Sequence, residues 1–379
     1  MIARTHSSFL RSSITLCAAA MVFALTPSAA LAQSDEIGAD VRRTPQLTQD
    51  QAEIVTKFVK DHSTNLGSDN PQLVKRDRIA LLAPLADPQA SPAFRLRFSE
   101  ALAPLLGDLA TSVSEIVVIN SLVIAGDLAT AQGVDVLIEG LASAKPSVRY
   151  QAAFGFRRTF ESLASMTTPT MRPDQAESGI VAVTEQIAKE SDSLVIDGLV
   201  FAATEASRAP GLRSAALTHL GNSLSVKIKS HAGILAPEAL TQAYLRAGAA
   251  VRDALTASDS GQISPESMKA ATAMAGQIIA YCVQAVEAKA LPSGDKGSAE
   301  AAIRETHAQL ATTAENVLLL AVTYQGGAAP AARKIGDKLK TGSTSADASF
   351  SEDARALVGK DGLLTKEPFK FASDAFLSK

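Results

Sequence analysis

Residues 133–160 read GVDVLIEGLASAKPSVRYQAAFGFRRTF, and they constrain the fold more than any other stretch. Val134, Leu137, Ile138 and Leu141 recur at i, i+3, i+4 and i+7, which places them along one stripe of a helix. Ala144-Lys145-Pro146 breaks the pattern, and Pro146 suits the first turn of a new helix, where its missing N–H has no partner to lose. Val148, Ala152, Phe156 and Leu163 then share one face of that second helix. Two amphipathic helices joined by so short a turn must pack antiparallel to cover both stripes.

The pattern returns 46 residues on: Gly133 falls on Gly179, Val134 on Ile180, Glu139 on Glu185, Leu141 on Ile187 and Val148 on Leu194. A looser copy lies upstream, with Leu102, Leu105, Leu106 and Leu109 before a break and Ile116, Val117, Ile119 and Leu122 after it. Helix pairs recurring at such a period mark a solenoid. Val148-Arg149-Tyr150-Gln151-Ala152-Ala153, following a helix rich in Leu and Ile and a short turn, resembles the HEAT and armadillo-like repeats. Leu212-Arg213-Ser214-Ala215-Ala216 and Phe94-Arg95 echo the unit, while the family's usual turn aspartate is missing, with Lys145 near its place. The resemblance spans residues 47 to 225, most fully 133 to 160, and implies a stacked helical fold that binds along its surface rather than a reaction.

Hydrophobic residues make up 46% and charged residues 20% of the 379, a folded rather than disordered composition. Aromatic residues are only 4%, with no Trp, which argues against base-stacking or sugar platforms. Arg4 and Arg11, an apolar run from Ile14 to Leu25 and Ala30-Leu31-Ala32 together read as a signal peptide, residues 1–32, with an A-x-A cleavage site. The apolar run is too short to span a bilayer and ends at Pro27, and no later segment looks transmembrane. The implied location is periplasmic or secreted. Loss of Arg4 and Arg11 takes the net charge from −3 to about −5, against a nucleic-acid partner. With Cys17 removed Cys282 stands alone, so no internal disulfide can form.

The spacing predicts an all-α chain: a flexible lead-in at 33–46, HEAT-like repeats over 47–232, an Ala-rich bundle over 237–325, and C-terminal helices with a docking tail over 326–379. Thr48 with Gln51 makes a capping box, Asn70-Pro71 and Ser91-Pro92 start helices, and Ser112 with Glu115 promises another box. Ile116 to Ile124 is β-branched enough for a strand, but its place in the repeat assigns it to a helix. Beyond Pro237 apolar positions step by fours and threes, through Leu240, Tyr244, Ala247 and Val251, through Met268 to Ala285, and through Ile303, His307, Leu310, Ala314, Val317, Ala321 and Tyr324. Such spacing predicts shallow crossings. A polar linker is expected at Thr341 to Ser349, and Phe369, Phe371 and Phe376 are expected to dock.

No catalytic, cofactor or metal site emerges. His62, His219, His231 and His307 lack partners at metal-ligand spacing, and His307 in an apolar seam reads as a bonded core histidine. Cys282 sits in an apolar stripe, the setting of a structural thiol. The positive feature is a stripe of Tyr150, Phe154, Arg157 and Glu161 opposite the Val148 face, residue types that dominate protein interfaces. The function expected is an exported, non-catalytic module that binds or scaffolds a protein partner. Two alternatives are an enzyme or small-ligand binder with a pocket between array and bundle, which a polar cluster around His307 would mark, and a self-associating structural envelope protein. Cleavage after Ala32 predicts that mass spectrometry of the exported protein finds Gln33 at the amino terminus; intact Met1 would refute export by this route.

Overall fold

The computed structural model describes residues 36–209, 211–257, 263–294 and 297–377. The leader and its cleavage site lie outside them. From Glu36 on the chain forms one compact unit, and every regular element among the described residues is helical. The helices are α1 (Ala39–Arg42), α2 (Gln49–Ser63), α3 (Pro71–Leu85), α4 (Pro92–Ala110), α5 (Glu115–Leu128), α6 (Ala131–Leu141), α7 (Pro146–Ser165) and α8 (Pro173–Lys189). They continue with α9 (Ser193–Ala206), α10 (Arg213–Lys229), α11 (Glu238–Thr256), α12 (Pro265–Glu287), α13 (Ala299–Tyr324), α14 (Ile335–Thr341) and α15 (Thr344–Val358).

Local chemistry sets the starts. Thr48 and Gln51 form the reciprocal box, Asn70 and Ser91 accept first-turn N–H groups, and Pro71, Pro92 and Pro146 open their helices. The box expected at Ser112 does not form: α5 follows Ser114, whose side chain makes no capping bond and whose N–H goes to Ser112 Oγ, while Glu115 turns to Ser147 and Lys145. Ile116 to Ile124 is helical, with Val117, Leu122 and Ile124 buried. The linker expected at Thr341 to Ser349 is mostly helix, because Ser343 caps Ala346 N–H and α15 starts at Thr344. The lead-in expected to be flexible instead forms α1, because Ile37 and Val41 are buried and Arg43 pairs with Asp87.

The helices lie in two rows around a shared apolar core. Helices two apart in the chain pack side by side, giving α2, α4, α6, α8, α10 and α12 in one row and α3, α5, α7, α9, α11 and α13 in the other. The order runs across the Gly233–Pro237 loop, since α9 lies on α11 and α10 on α12. At the far end α14 packs on α13, and α15 on α12. Phe369 and Phe376 are buried, and Gln277 Nε2 donates to Ala375 O at 3.0 Å, so the tail docks. Rows pack this closely because small residues meet: a Cβ on Gly126 of α5 would lie 2.6 Å from Gly155 Cα of α7.

The repeat register changes between the two helices of a pair. Gly133 and Gly179 are equivalent at 46 residues, with Val134 and Ile180 both buried. The second helices start 47 apart, at Pro146 and Ser193, so Val148 matches Val195, which is buried, and not Leu194, which is 62% exposed.

Buried arginines tie the pairs together. A helix end leaves carbonyls without partners and carries partial negative charge. Arg95 donates to Leu85 O at 2.6 Å and Asp127 O at 3.0 Å, and Arg213 to Ser207 O at 3.2 Å. Arg149 donates to Ser143 O and Ala144 O and grips Glu190 through two bonds of 2.6 and 2.9 Å. Glu190 also accepts N–H groups of Ser191 and Asp192 at the start of α9, while Lys227 of α10 donates to its backbone carbonyl. Burial alone would raise the Glu190 pKa, but hydrogen bonds, chiefly from Arg149, hold it down at about 2.

Removing the buried Glu190 carboxylate leaves the partly exposed Arg149 guanidinium without its counter-charge and the N–H groups of Ser191 and Asp192 without their acceptor. Glu190→Ala is therefore expected to cost about 1 to 3 kcal/mol in urea denaturation. The pair's contribution is complete above the unfolded carboxyl's pKa of 4.5 and is lost as pH falls from there toward about 2. Glu190→Gln should show a shallower acid limb than the parent.

Candidate functional site

Outward from the Val148 face, α7 presents Tyr150, Phe154 and Arg157 in successive turns. Tyr150 is 46% and Phe154 38% exposed. The Tyr150 ring passes over α9 where Gly198 leaves room, its carbons 3.4 Å from where a Cβ would stand. One turn earlier on α9 is the exposed Leu194. The Arg157 guanidinium lies 3.8 Å from the centre of the Phe201 ring and 5.8 Å from that of Phe154. Arg246, from α11, lies 4.5 Å from the same Phe201 centre and pairs with Asp197 at 2.8 Å. Three consecutive helices of one row thus meet at Phe201, and each cation–π contact at this half-buried site contributes on the order of 1 kcal/mol.

Glu161 does not join the group. Its carboxylate pairs with Arg158 at 3.3 Å, and Arg158 reaches Asp127 of α5 at 2.6 Å. Among the described residues Arg157 makes no ion pair, and its Nε is buried without a hydrogen-bond partner. Beside Phe201 a cleft of about 450 Å³ is lined by Arg208, Arg213, Arg246, Ala250 and Asp253. Phe201 and Arg246 escaped the sequence reading. The signal for Phe201 was the register of 47, which sets Phe154 on Phe201, whereas 46 sets it on Val200. Arg246 had no comparable signal.

A second polar cluster surrounds His307. Its Nδ1 lies 2.8 Å from Ile303 O; a carbonyl only accepts, so Nδ1 carries the hydrogen. Nε2 is then a lone pair, and Tyr281 O–H donates to it at 3.1 Å while accepting Ala236 N–H at 3.0 Å. Each polar atom is satisfied, as in a core histidine. Burial pushes the His307 pKa below its ordinary value and the Cys282 thiol up to about 12, so that thiol is no nucleophile. His219 faces Glu177 at 3.5 Å, His62 stacks near Phe58, and His231 follows the end of α10. Among the described residues no group of three or more His, Cys, Asp or Glu is placed to hold a metal ion.

No protein-family model matches the chain, and the comparison with curated proteins finds no match. Among solved structures, an engineered protein is 17% identical with a TM-score of 0.31, covering 69% of this chain and 97% of its own. A second engineered protein is 17% identical with a TM-score of 0.34, covering 83% of this chain and 81% of its own. Scores this low carry no structural argument. Among the described residues no helix is long and apolar enough to cross a membrane.

Neutral His307 sets a pH dependence. The unfolded residue takes up a proton near pH 6.5 and the folded one resists, so stability is full above pH 6.5 and falls below it, by up to about 1.4 kcal/mol per pH unit. Chemical denaturation between pH 7 and 5 should show that slope reduced in His307→Gln.

Proposed function

We propose that this chain is an exported, non-catalytic protein-binding module of the cell envelope, built as a HEAT-like array whose second row carries the binding face. The two-row order and the Val-Arg-x-x-Ala-Ala unit support the array, and the A-x-A site at Ala30 to Ala32 supports export. The carrying observation is the Phe201 ring beside Arg157 and Arg246, bordered by exposed Tyr150, Phe154 and Leu194. Rigid aromatics beside arginine supply large contact area and directional charge, the features of interface hot spots. Arg157 lacks a counter-charge among the described residues, so the partner is expected to bring an apolar segment with a carboxylate next to it.

Affinity capture from an envelope fraction, compared between the mature chain and Tyr150→Ala/Phe154→Ala, tests this. The half-exposed side chains leave the Val148 core untouched, so helical content should be retained. Affinity for the captured partner should fall at least about tenfold, the equivalent of ~1.4 kcal/mol. A folded double variant that keeps the same partner at the same affinity would exclude this face. Unfolding would instead make Tyr150 and Phe154 structural contacts between α7 and α9.

A further inference from the structure

A cavity of about 420 Å³ opens between the loop into α11 and the first turns of α13. Leu235, Ala236 and Thr241 form one wall and Ala302, Ile303 and His307 the other. Ile303 was expected in the seam of α13 but is 39% exposed at this opening, and Arg304 takes the interior place. Ile303 thus leaves apolar surface open at the cavity.

The polar groups decide which molecule fits. His307 uses both ring nitrogens, and Tyr281 gives its hydrogen to His307. Thr241 and Thr306, which also lines the cavity, give their hydroxyl hydrogens to Pro237 O and Ala302 O. Those hydroxyls keep lone pairs that accept but have no hydrogen left to donate. The floor carries no charge, and Glu238 at the edge repels anions. From this we propose that the cavity binds a small neutral apolar molecule bearing one hydrogen-bond donor, its hydrocarbon against Leu235, Ala302 and Ile303 and its donor on a threonine hydroxyl. The volume falls in the range of roughly 300 to 1,000 Å³ usual for small-molecule sites. A neutral ligand also suits the downward push that burial gives the His307 pKa, since an anion would favour the imidazolium. This site shares no residue with the Tyr150 face, so either can fail alone.

N-phenyl-1-naphthylamine, neutral, aromatic and carrying one N–H, brightens in apolar surroundings and serves as the probe. Titration of the mature chain should give saturable one-to-one enhancement. Ala302 and Thr306 are not fully buried, so Ala302→Trp and Thr306→Trp should fill the cavity without disturbing the core, weakening the probe at least about tenfold. Val113→Ser, at an exposed apolar residue in the turn between α4 and α5, should bind like the parent. In amide NMR spectra of the parent chain, the signals of Ala236, Thr241 and Thr306 should shift with the probe. Absence of saturation, parental affinity in a folded filling variant, or shifts confined to other regions would overturn the proposal.

Discussion

Helix ends inside a closely packed wall leave carbonyls without partners, and these must be met by a donor that reaches across the turn. At several turns among the described residues that donor is an arginine. Arg95 serves the end of α3 and of α5, Arg149 the turn after α6, and Arg213 the turn after α9. Arg304 repeats the solution far along the chain, donating to Leu291 O, Pro292 O and Leu339 O while pairing with Asp347 at 2.7 Å. A planar fork with five donors satisfies several carbonyls at once, which a lysine ammonium on a flexible stem cannot do with the same geometry. The arginine of the Val-Arg-x-x-Ala-Ala unit thus has a physical reason that does not depend on the resemblance.

With the turns fastened, the rows can close on small side chains. Gly126 against Gly155 and Gly221 against Ala270 let backbones approach where larger residues would hold them apart. Thr159 Oγ1 then reaches Gly126 O at 3.1 Å, a bond possible only at that separation. The low aromatic content belongs with this design, because close-packed Ala and Gly need few large rings to fill space. Where rings do occur on the surface of the second row, they are therefore exceptions with room around them.

Periodicity was a reliable guide to which residues share a helix face and a poor guide to what covers that face. The stripes of α11 and α12 are buried as their spacing implies, that of α6 is buried except for half-buried Ile138, and Leu310 of α13 is fully buried. Ile303 and Tyr324 extend the same stripe but lie near the ends of α13; Ile303 is left open and Tyr324 half-buried. Arg304 could not be read as interior because its burial depends on carbonyls from Leu291 and Leu339, distant in sequence until the chain folds. Leu194 was misplaced by one residue, because the spacing between units grows from 46 to 47 across the turn that holds Glu190. That same slip concealed Phe201, although Tyr150, Phe154 and Arg157 were legible from helical spacing alone.

The arginines on the outer side of the second row show why one point on it differs from the rest. Arg78 of α3 donates to Asn120 of α5 at 2.7 Å, Arg158 of α7 pairs with Asp127 of α5, and Arg246 of α11 pairs with Asp197 of α9. Each joins neighbouring helices through a polar acceptor. Between α7 and α9 the link is Arg157 over Phe201, in which the ring orients the guanidinium but does not neutralise it. An oriented, weakly hydrated cation on a flat aromatic base has already lost much of the freedom that binding would otherwise cost. A carboxylate arriving there would gain a partner without displacing one. The row's repeating chemistry is what makes this single replacement of an acid by a ring stand out, and the proposed binding face rests on that difference.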